Sequence, residues 1–251
     1  MKKPIELGDA LNEFGWWSSW AKPFRPTRES YGLLSKGFPE PLFNRVVFLS
    51  PPKNPHKLIP EIVRHFRANG VSPSFFAQDT QKFAPTRTAI VENGLRRIDR
   101  FLIMELLEPR FQHDGMTSTH MVQRSELVLW SRIYLKAFYG NEILLEEVLR
   151  SVKTAHLKCD NRLLLATRKG KIVGTMALHV SDGYAGVYCL GTLPSMRGKG
   201  VASSMLAVAH EYASKLQAKT ILQVFETDGI GDFYMERGFR RLYDEEVFGE
   251  G

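Results

Sequence analysis

The chain has 251 residues, with 34 Lys and Arg against 27 Asp and Glu for a net charge of +7, and 43% of its residues are hydrophobic. That length allows one large or two small globular domains, and no apolar run approaches the ~18 residues of a membrane span. Two cysteines, Cys159 and Cys189, are too few for a disulfide framework, and Met1–Glu6 lacks the apolar stretch of a secretory leader, so a reducing cytoplasm is the expected setting.

In chain order, the first unusual segment is Trp16-Trp17-Ser18-Ser19-Trp20. It reads as the end of an N-terminal helix clamped onto a core, with a tryptophan-lined pocket as the alternative. Arg45–Leu49 is a strand. A loop with Pro51, Pro52 and Pro55 follows, and then a helix over His56–Ala68 whose Leu58, Ile59, Ile62, Val63 and Phe66 keep helical spacing. Helices are predicted over Glu126–Phe138 and Glu142–Ala155, split at Gly140-Asn141. Strands over Arg162–Ala166 and Lys171–His179 flank the turn Lys169-Gly170, and Gly186–Thr192 is a strand after a turn at Asp182-Gly183. A helix over Ala202–Leu216, with Met205, Ala209, Tyr212 and Leu216 on one face, precedes a strand over Thr220–Phe225. A short helix over Gly231–Arg237 ends at Gly238, which suits a left-handed cap, and Phe239–Val247 is a final strand.

The chain also echoes itself. Glu92-Asn93-Gly94-Leu95-Arg96-Arg97-Ile98 matches Glu236-Arg237-Gly238-Phe239-Arg240-Arg241-Leu242 at an offset of 144 positions. The same offset carries Lys53 onto Arg197, and both positions lie in a loop between a strand and a helix. Two related domains follow, residues 1–115 and 116–251, joined near Gln112–Thr119.

The chemistry concentrates in Leu193-Pro194-Ser195-Met196-Arg197-Gly198-Lys199-Gly200-Val201-Ala202. Two glycines between a strand and a helix turn successive N–H groups toward one point. The helix start adds unpaired N–H groups and the positive end of its dipole, and Arg197 and Lys199 add charge. The segment reads as a cradle for phosphate or pyrophosphate. A P-loop fails, because the first glycine would be Leu193 and the residue after Lys199 is Gly200 rather than Ser or Thr. A Rossmann fingerprint fits poorly. Gly198-Lys199-Gly200-Val201-Ala202-Ser203 ends in Ser, six residues separate Gly191 from Gly198, and the strands upstream look like hairpins. The loop at Lys53-Asn54-Pro55-His56-Lys57-Leu58 has no glycine, and its prolines lack N–H groups, so the first copy has no cradle.

Arg197-x-x-Gly200-x-Ala202 matches the R/Q-x-x-G-x-G/A pattern of the GNAT acyltransferases. Leu190-Gly191-Thr192-Leu193-Pro194 resembles that family's fourth strand and the proline after it, and Phe233-Tyr234-Met235-Glu236-Arg237-Gly238-Phe239 resembles its signature near the C-terminus. The resemblance covers residues 117–247. It implies two tandem GNAT-like domains with a degenerate N-terminal copy. It also implies a mixed, mostly antiparallel α/β sheet flanked by helices and splayed between its fourth and fifth strands.

For function, the resemblance implies acetyl-CoA as co-substrate and acetyl transfer to a primary amine by direct attack in a ternary complex. Arg197, Gly198, Lys199, Gly200, Val201 and Ala202 would hold the pyrophosphate. Leu190 and Thr192 would pair with the pantetheine arm, Gly191 would allow its close approach, and an N–H near Leu190 or Gly191 would polarise the thioester carbonyl. Tyr234 matches the tyrosine that protonates the departing thiolate. The family's strand carboxylate is absent, since Gly186 stands near that position. Glu226 is the residue carried forward as base, with a water chain, His179 and His120 as further options. A covalent role for Cys189 is open, against the common alternative of a small buried strand residue. Trp130 would line an acceptor site by analogy only.

The expected acceptor is a small amine or an amino-acid-like molecule. The alternatives are a protein lysine or N-terminal amine, and a non-catalytic CoA-binding sensor. No cluster of His, Cys and carboxylate has metal-site spacing, and neither a nucleic-acid partner nor a membrane is expected. The oligomeric state is not readable.

Overall fold

The computed structural model describes residues 5–111 and 113–250. Residues 1–4, most of the stretch expected to lack a leader's apolar core, and Gln112, at the start of the expected domain junction, lie outside the described residues. In chain order the elements are α1 (Ile5–Trp17), β1 (Lys22–Phe24), β2 (Ser30–Leu34), β3 (Arg45–Phe48), α2 (Pro55–Ala68), β4 (Ser74–Gln78), α3 (Ala84–Glu92), β5 (Arg96–Leu106) and β6 (Thr117–Met121). Then come α4 (Leu127–Phe138), α5 (Leu145–His156), β7 (Asn161–Arg168), β8 (Lys171–Ser181), β9 (Tyr184–Thr192), α6 (Val201–Lys215), β10 (Lys219–Phe225), α7 (Gly231–Glu236) and β11 (Phe239–Gly249).

Two compact units divide these residues, and neither is a continuous stretch. The first unit holds residues 5–19, 105–222 and 233–240, and the second holds 20–104, 223–232 and 241–250. The division expected from the repeat is contiguous, whereas these units exchange the two ends of the chain: α1 belongs to the first and most of β11 to the second.

In the first unit the strand order is β10-β9-β8-β7-β6. All pairs are antiparallel except β9 with β10. The hairpins close on Lys169-Gly170 and Asp182-Gly183, where all four residues have positive φ, as two-residue loops matched to strand twist require. Helices cover both faces. Side chains alternate along a strand, and a Cβ on Gly174 would meet Val201 and Met205 of α6. One on Gly191, which shares a face with Thr175, would meet Ala137 and Phe138 of α4.

On that second face α1 is locked by its own side chains. Asn12 Nδ2 donates to the carbonyls of His179 (3.0 Å) and Tyr184 (3.1 Å), and Trp16 stacks on Tyr188 with centroids 5.5 Å apart. The tryptophan segment therefore clamps the helix, as its first reading holds, and Trp20 belongs to the second unit, where it packs on Phe38 and Phe43.

In the second unit the order is β1-β2-β3-β4-β11, with β5 beside β11. The β3–β4 pair is parallel, and β1–β2, β2–β3 and β4–β11 are antiparallel. The amphipathic helix α2 buries Ile59, Ile62, Val63 and Phe66 in one cluster with Phe48 and Phe75, each worth about 1.5–3 kcal/mol of removal from water. The fold is thus mixed α/β, mostly antiparallel and flanked by helices. Under the offset of 144, β3, α2, β4, α3 and β5 fall on the end of β9 and on α6, β10, α7 and β11.

Along α6, Met205 and Ala209 are buried as expected, but Leu216 is 50% exposed. The helix ends at Lys215, so Leu216 lies beyond the packed face.

Candidate functional site

The site is built on β9 and on the loop that follows it. β9 pairs with β10 only from Tyr184↔Lys219 to Val187↔Leu222, although β9 continues to Thr192. Beyond that point its ladder with β8 is irregular. Ala177 pairs with Tyr188 and Thr175 with Gly191, so Cys189 and Leu190 together oppose Met176. This is a β-bulge, which bends a strand and takes a residue out of the ladder. Cys189 carries it with φ +52°, a left-handed conformation unusual for a residue with a Cβ. The Thr175 hydroxyl donates to the Cys189 carbonyl at 3.0 Å. Cys189 is buried, and burial pushes its thiol pKa well up, which opposes nucleophilic use.

After β9, Pro194–Met196 form a short 3₁₀ turn. Gly198 and Gly200 then take φ +73° and +81°, and Gly200 is the N-cap of α6 without a side-chain cap. The first intrahelical bond at this end runs from Ser204 N–H to the Gly200 carbonyl at 2.9 Å. The amides of the first turn precede it and have no acceptor within the helix. A Cβ on Gly198 would meet nothing within 4 Å. These open amides at the positive end of a helix fit a phosphate or pyrophosphate group. The Thr192 Oγ1, buried at the end of β9 and without a hydrogen-bond partner, is a further polar atom that a ligand along this strand would satisfy.

Other expected residues take different places. Arg197 Nη2 donates to the Ala137 carbonyl at the end of α4 at 2.9 Å, and Lys199 Nζ to the Ser195 carbonyl at 2.9 Å, so both cations brace the backbone. The space beside Gly191 is filled by α4, which makes close helix packing the reason for its small size. Trp130 is fully buried, donates to the Leu164 carbonyl at 3.1 Å and stacks on Tyr134. It is a core residue and lines no acceptor site.

Gly186 stands near the position of the family's strand carboxylate. A Cβ there would lie 2.2 Å from Asn12 Oδ1 and 2.6 Å from the Tyr188 hydroxyl, a pair bonded to each other at 2.8 Å. The place is occupied from across the fold by α1. His179 is buried, its Nδ1 lies 2.6 Å from Asn161 Oδ1, and burial lowers its pKa to about 4. His120 is exposed on β6 and bonds Glu126 at 3.0 Å.

Tyr234 lies on α7 and is buried, its ring edge-on to Phe233 and Phe239. The helix is tied to the cradle by Arg237, whose Nε donates to Ser203 Oγ at 2.9 Å and whose guanidinium sits 3.5 Å from the Phe233 ring centroid. Gly238 follows at φ +91°, and Leu107 N–H donates to its carbonyl at 3.1 Å. The first unit therefore gathers the bulged strand, the cradle and Tyr234. Glu226 belongs to the second unit, is exposed, and lies 3.6 Å from Arg100. Among the described residues no group of His, Cys, Asp and Glu is placed to hold a metal.

Sequence reading missed Asp114 and Arg168. The Asp114 carboxylate accepts from the amides of Met116 (2.9 Å) and Thr117 (2.7 Å), from the Thr117 hydroxyl (2.9 Å) and from Arg168. Burial works against its charge, but those bonds outweigh it and hold the pKa down to about 2. Only the spacing Asp114-x-x-Thr117 hinted at a local turn, and nothing local pointed to Arg168.

The acetyltransferase (GNAT) domain model matches residues 159–241. No curated protein matches the chain in sequence. Among solved structures, a GCN5-related N-acetyltransferase from Kribbella flavida is similar at 19% identity and TM-score 0.71, over 98% of this chain and 95% of that one. One from Sphaerobacter thermophilus is similar at 13% identity and TM-score 0.67, over 88% and 76%. A tandem GNAT protein from the clavulanic acid biosynthesis pathway is similar at 13% identity and TM-score 0.64, over 88% and 77%. These likenesses establish the fold, and the domain match coincides with the bulged strand, the glycine cradle and the Tyr234 helix. Residues 159–241 thus resemble an acetyltransferase (GNAT) domain in sequence, and the chain is similar to GCN5-related N-acetyltransferases in fold.

Proposed function

We propose that this protein is an N-acetyltransferase that uses acetyl-CoA to acetylate a primary amine of a small or amino-acid-like molecule. The observation that carries the reading is the uncapped start of α6 behind Gly198 and Gly200, placed directly after a bulged strand whose parallel pairing stops at Val187. The amides from Gly198 to Ala202 bind the pyrophosphate, while Arg197 and Lys199 hold the loop and keep its potential positive. Leu190 and Thr192 lie beyond the last pair of the parallel ladder and would pair with an extended arm, which at the Thr192 carbonyl would compete with Arg197 Nε at 3.4 Å. The N–H near Leu190 or Gly191, set by the bulge, polarises the thioester carbonyl.

Bound acetyl-CoA supplies an activated acetyl group, and a C–N bond to the amine forms as the C–S bond breaks. Tyr234 delivers a proton to the departing sulfur. Because a thiol is a fair leaving group at pKa ~8.5, Tyr234→Phe is expected to lower kcat about 10- to 100-fold with little change in acetyl-CoA affinity. Steady-state thiol release with a panel of amines measures this, and an unchanged kcat removes the acid role.

A second reading, a CoA-binding module without turnover, draws on Gly186, whose surroundings leave no room for a carboxylate. Tight acetyl-CoA binding with no thiol release for any small or peptide amine would favour it. A peptide-only response would shift the acceptor class to protein amines. No described helix is long and apolar enough to cross a membrane, which is compatible with the cytoplasmic setting proposed here.

The first test is thermal unfolding with and without acetyl-CoA. A ligand at ~100 times its Kd stabilises the fold by about 2.7 kcal/mol. A shift in the wild type that Gly200→Pro abolishes supports the cradle, and no shift at millimolar acetyl-CoA overturns the reading.

A further inference from the structure

A carboxylate stands beside this anion cradle. A Cβ built on Gly200 would lie 3.1 Å from Asp114 Oδ2 and 3.2 Å from Asp114 Cβ. The Asp114 side chain therefore covers the glycine that caps α6. Its own N–H donates to Ser204 Oγ in the next turn at 3.1 Å, which fixes the 113–117 loop to that helix. A bare negative charge at this place would oppose any phosphate bound by the amides of Gly200 and its neighbours, because like charges several ångströms apart near a protein surface repel strongly.

The structure contains the counterweight. Antiparallel pairing of β6 with β7 sets Arg168 opposite Thr117. From there its Nη1 bonds Asp114 Oδ2 and also Thr117 Oγ1 at 3.0 Å. Both partners are mostly buried, with side chains 11% exposed for Arg168 and 19% for Asp114. Asp114 alone serves the loop by closing the turn to Met116 and Thr117, and Arg168 cancels its charge.

We propose that Arg168 is a positioning residue for phosphate binding, which holds Asp114 in place as the brace of Gly200 and neutralises it so that the cradle stays receptive to an anion. The proposal rests on the acetyl-CoA reading for the identity of the ligand, but its electrostatic content applies to any phosphate in the cradle.

The test is a double-mutant cycle on binding. Acetyl-CoA and inorganic pyrophosphate are titrated calorimetrically into the wild type, Arg168→Gln, Asp114→Asn and the double variant. Arg168→Gln, which leaves the carboxylate uncompensated, is expected to weaken acetyl-CoA about tenfold, and to raise its KM with kcat nearly unchanged. Asp114→Asn keeps the shape, removes the charge and is expected to bind at least as tightly as wild type. The double variant is expected to recover to within about threefold of wild type, a rescue that a merely structural pair would not show.

Arg168→Gln binding like wild type, or a double variant no better than Arg168→Gln, overturns the proposal. If Arg168→Gln does not fold, Asp114→Asn decides: binding at least as tight supports the proposal, and clearly weaker binding overturns it. A wild type that binds pyrophosphate with this charge pattern but not acetyl-CoA removes the acetyl-CoA reading and keeps the inference. A wild type that binds neither removes both.

Discussion

The loops after β3 and after β9 are the instructive pair in this molecule. Each joins a strand with a parallel partner to a helix that packs on the sheet, and they are related by the same offset of 144 positions. After β3 the helix start is closed by its own chain. Asn54 is the N-cap of α2, its Oδ1 accepts from Lys57 N–H at 3.2 Å, and Pro55 occupies the first turn. After β9 the helix start is left open by a glycine cap. The same topology gives a sealed helix end in one place and, in the other, an open one that we propose receives an anion. What differs is the fate of the first-turn amides: in α2 the Asn54 side chain accepts from one and Pro55 has no N–H to satisfy, whereas in α6 no side chain caps them.

The comparison extends to Gly94 and Gly238, which share the offset and both have positive φ, +83° and +91°. Around Gly94 a Cβ would meet nothing within 4 Å, whereas at Gly238 it would fall 1.6 Å from the Glu108 carbonyl oxygen. Gly238→Ala is therefore expected to give the largest loss of stability in this set, about 4 kcal/mol or more, because backbone must move. Gly94→Ala bears only the left-handed strain, about 1–2 kcal/mol. Denaturant unfolding of the two variants checks the contrast, and equal losses would break it.

Acid should separate the units next. His179 is 4% exposed, and desolvation lowers its pKa to about 4, with Asp160 opposing and Lys158 assisting. The folded state keeps the ring neutral while the unfolded chain binds a proton below pH ~6.5. Stability from this group is thus fully present above pH ~6.5 and is lost as pH falls toward 4, by about 3 kcal/mol in all. The expected outcome is a stability difference between wild type and His179→Gln that shrinks over that window. Hydrogen exchange should rise along β8 before it rises along β4. A pH-independent difference would remove the assignment.

Smaller effects separate the two helix starts. Gly200→Ala is expected to cost about 1–2 kcal/mol, from φ strain and crowding against Asp114, and to weaken acetyl-CoA about tenfold or more. Asn54→Ala is expected to cost about 1 kcal/mol, the worth of a lost cap, and to leave acetyl-CoA affinity unchanged. Paired melting and titration curves read both, and a ligand effect from Asn54→Ala would mean that the two loops are not functionally distinct.

Much of this fold is written in short-range signals. Periodicity marked α2 and α6, and the Lys169-Gly170 and Asp182-Gly183 turns marked their hairpins, because φ preferences and amphipathic spacing act over a few residues. The glycine turn before α6 was legible for the same reason, since Gly198 and Gly200 take positive φ at little steric cost. Long-range partners decided the rest. Trp130 reads, by analogy, as lining an acceptor site until β7 and β8 supply the carbonyls for its indole. Gly191 reads as a ligand contact until α4 fills the space beside it, and Gly186 reads as a missing carboxylate until Asn12 and Tyr188 arrive. Arg197 and Lys199 read as phosphate ligands until carbonyls of α4 and of their own loop take them up. Asp114 and Arg168 are 54 positions apart and meet because β6 and β7 pair in one register. Local conformation follows from each residue's own sterics, which the sequence carries directly, but the choice of neighbours across a sheet follows from packing the whole core, and only the tertiary structure settles it.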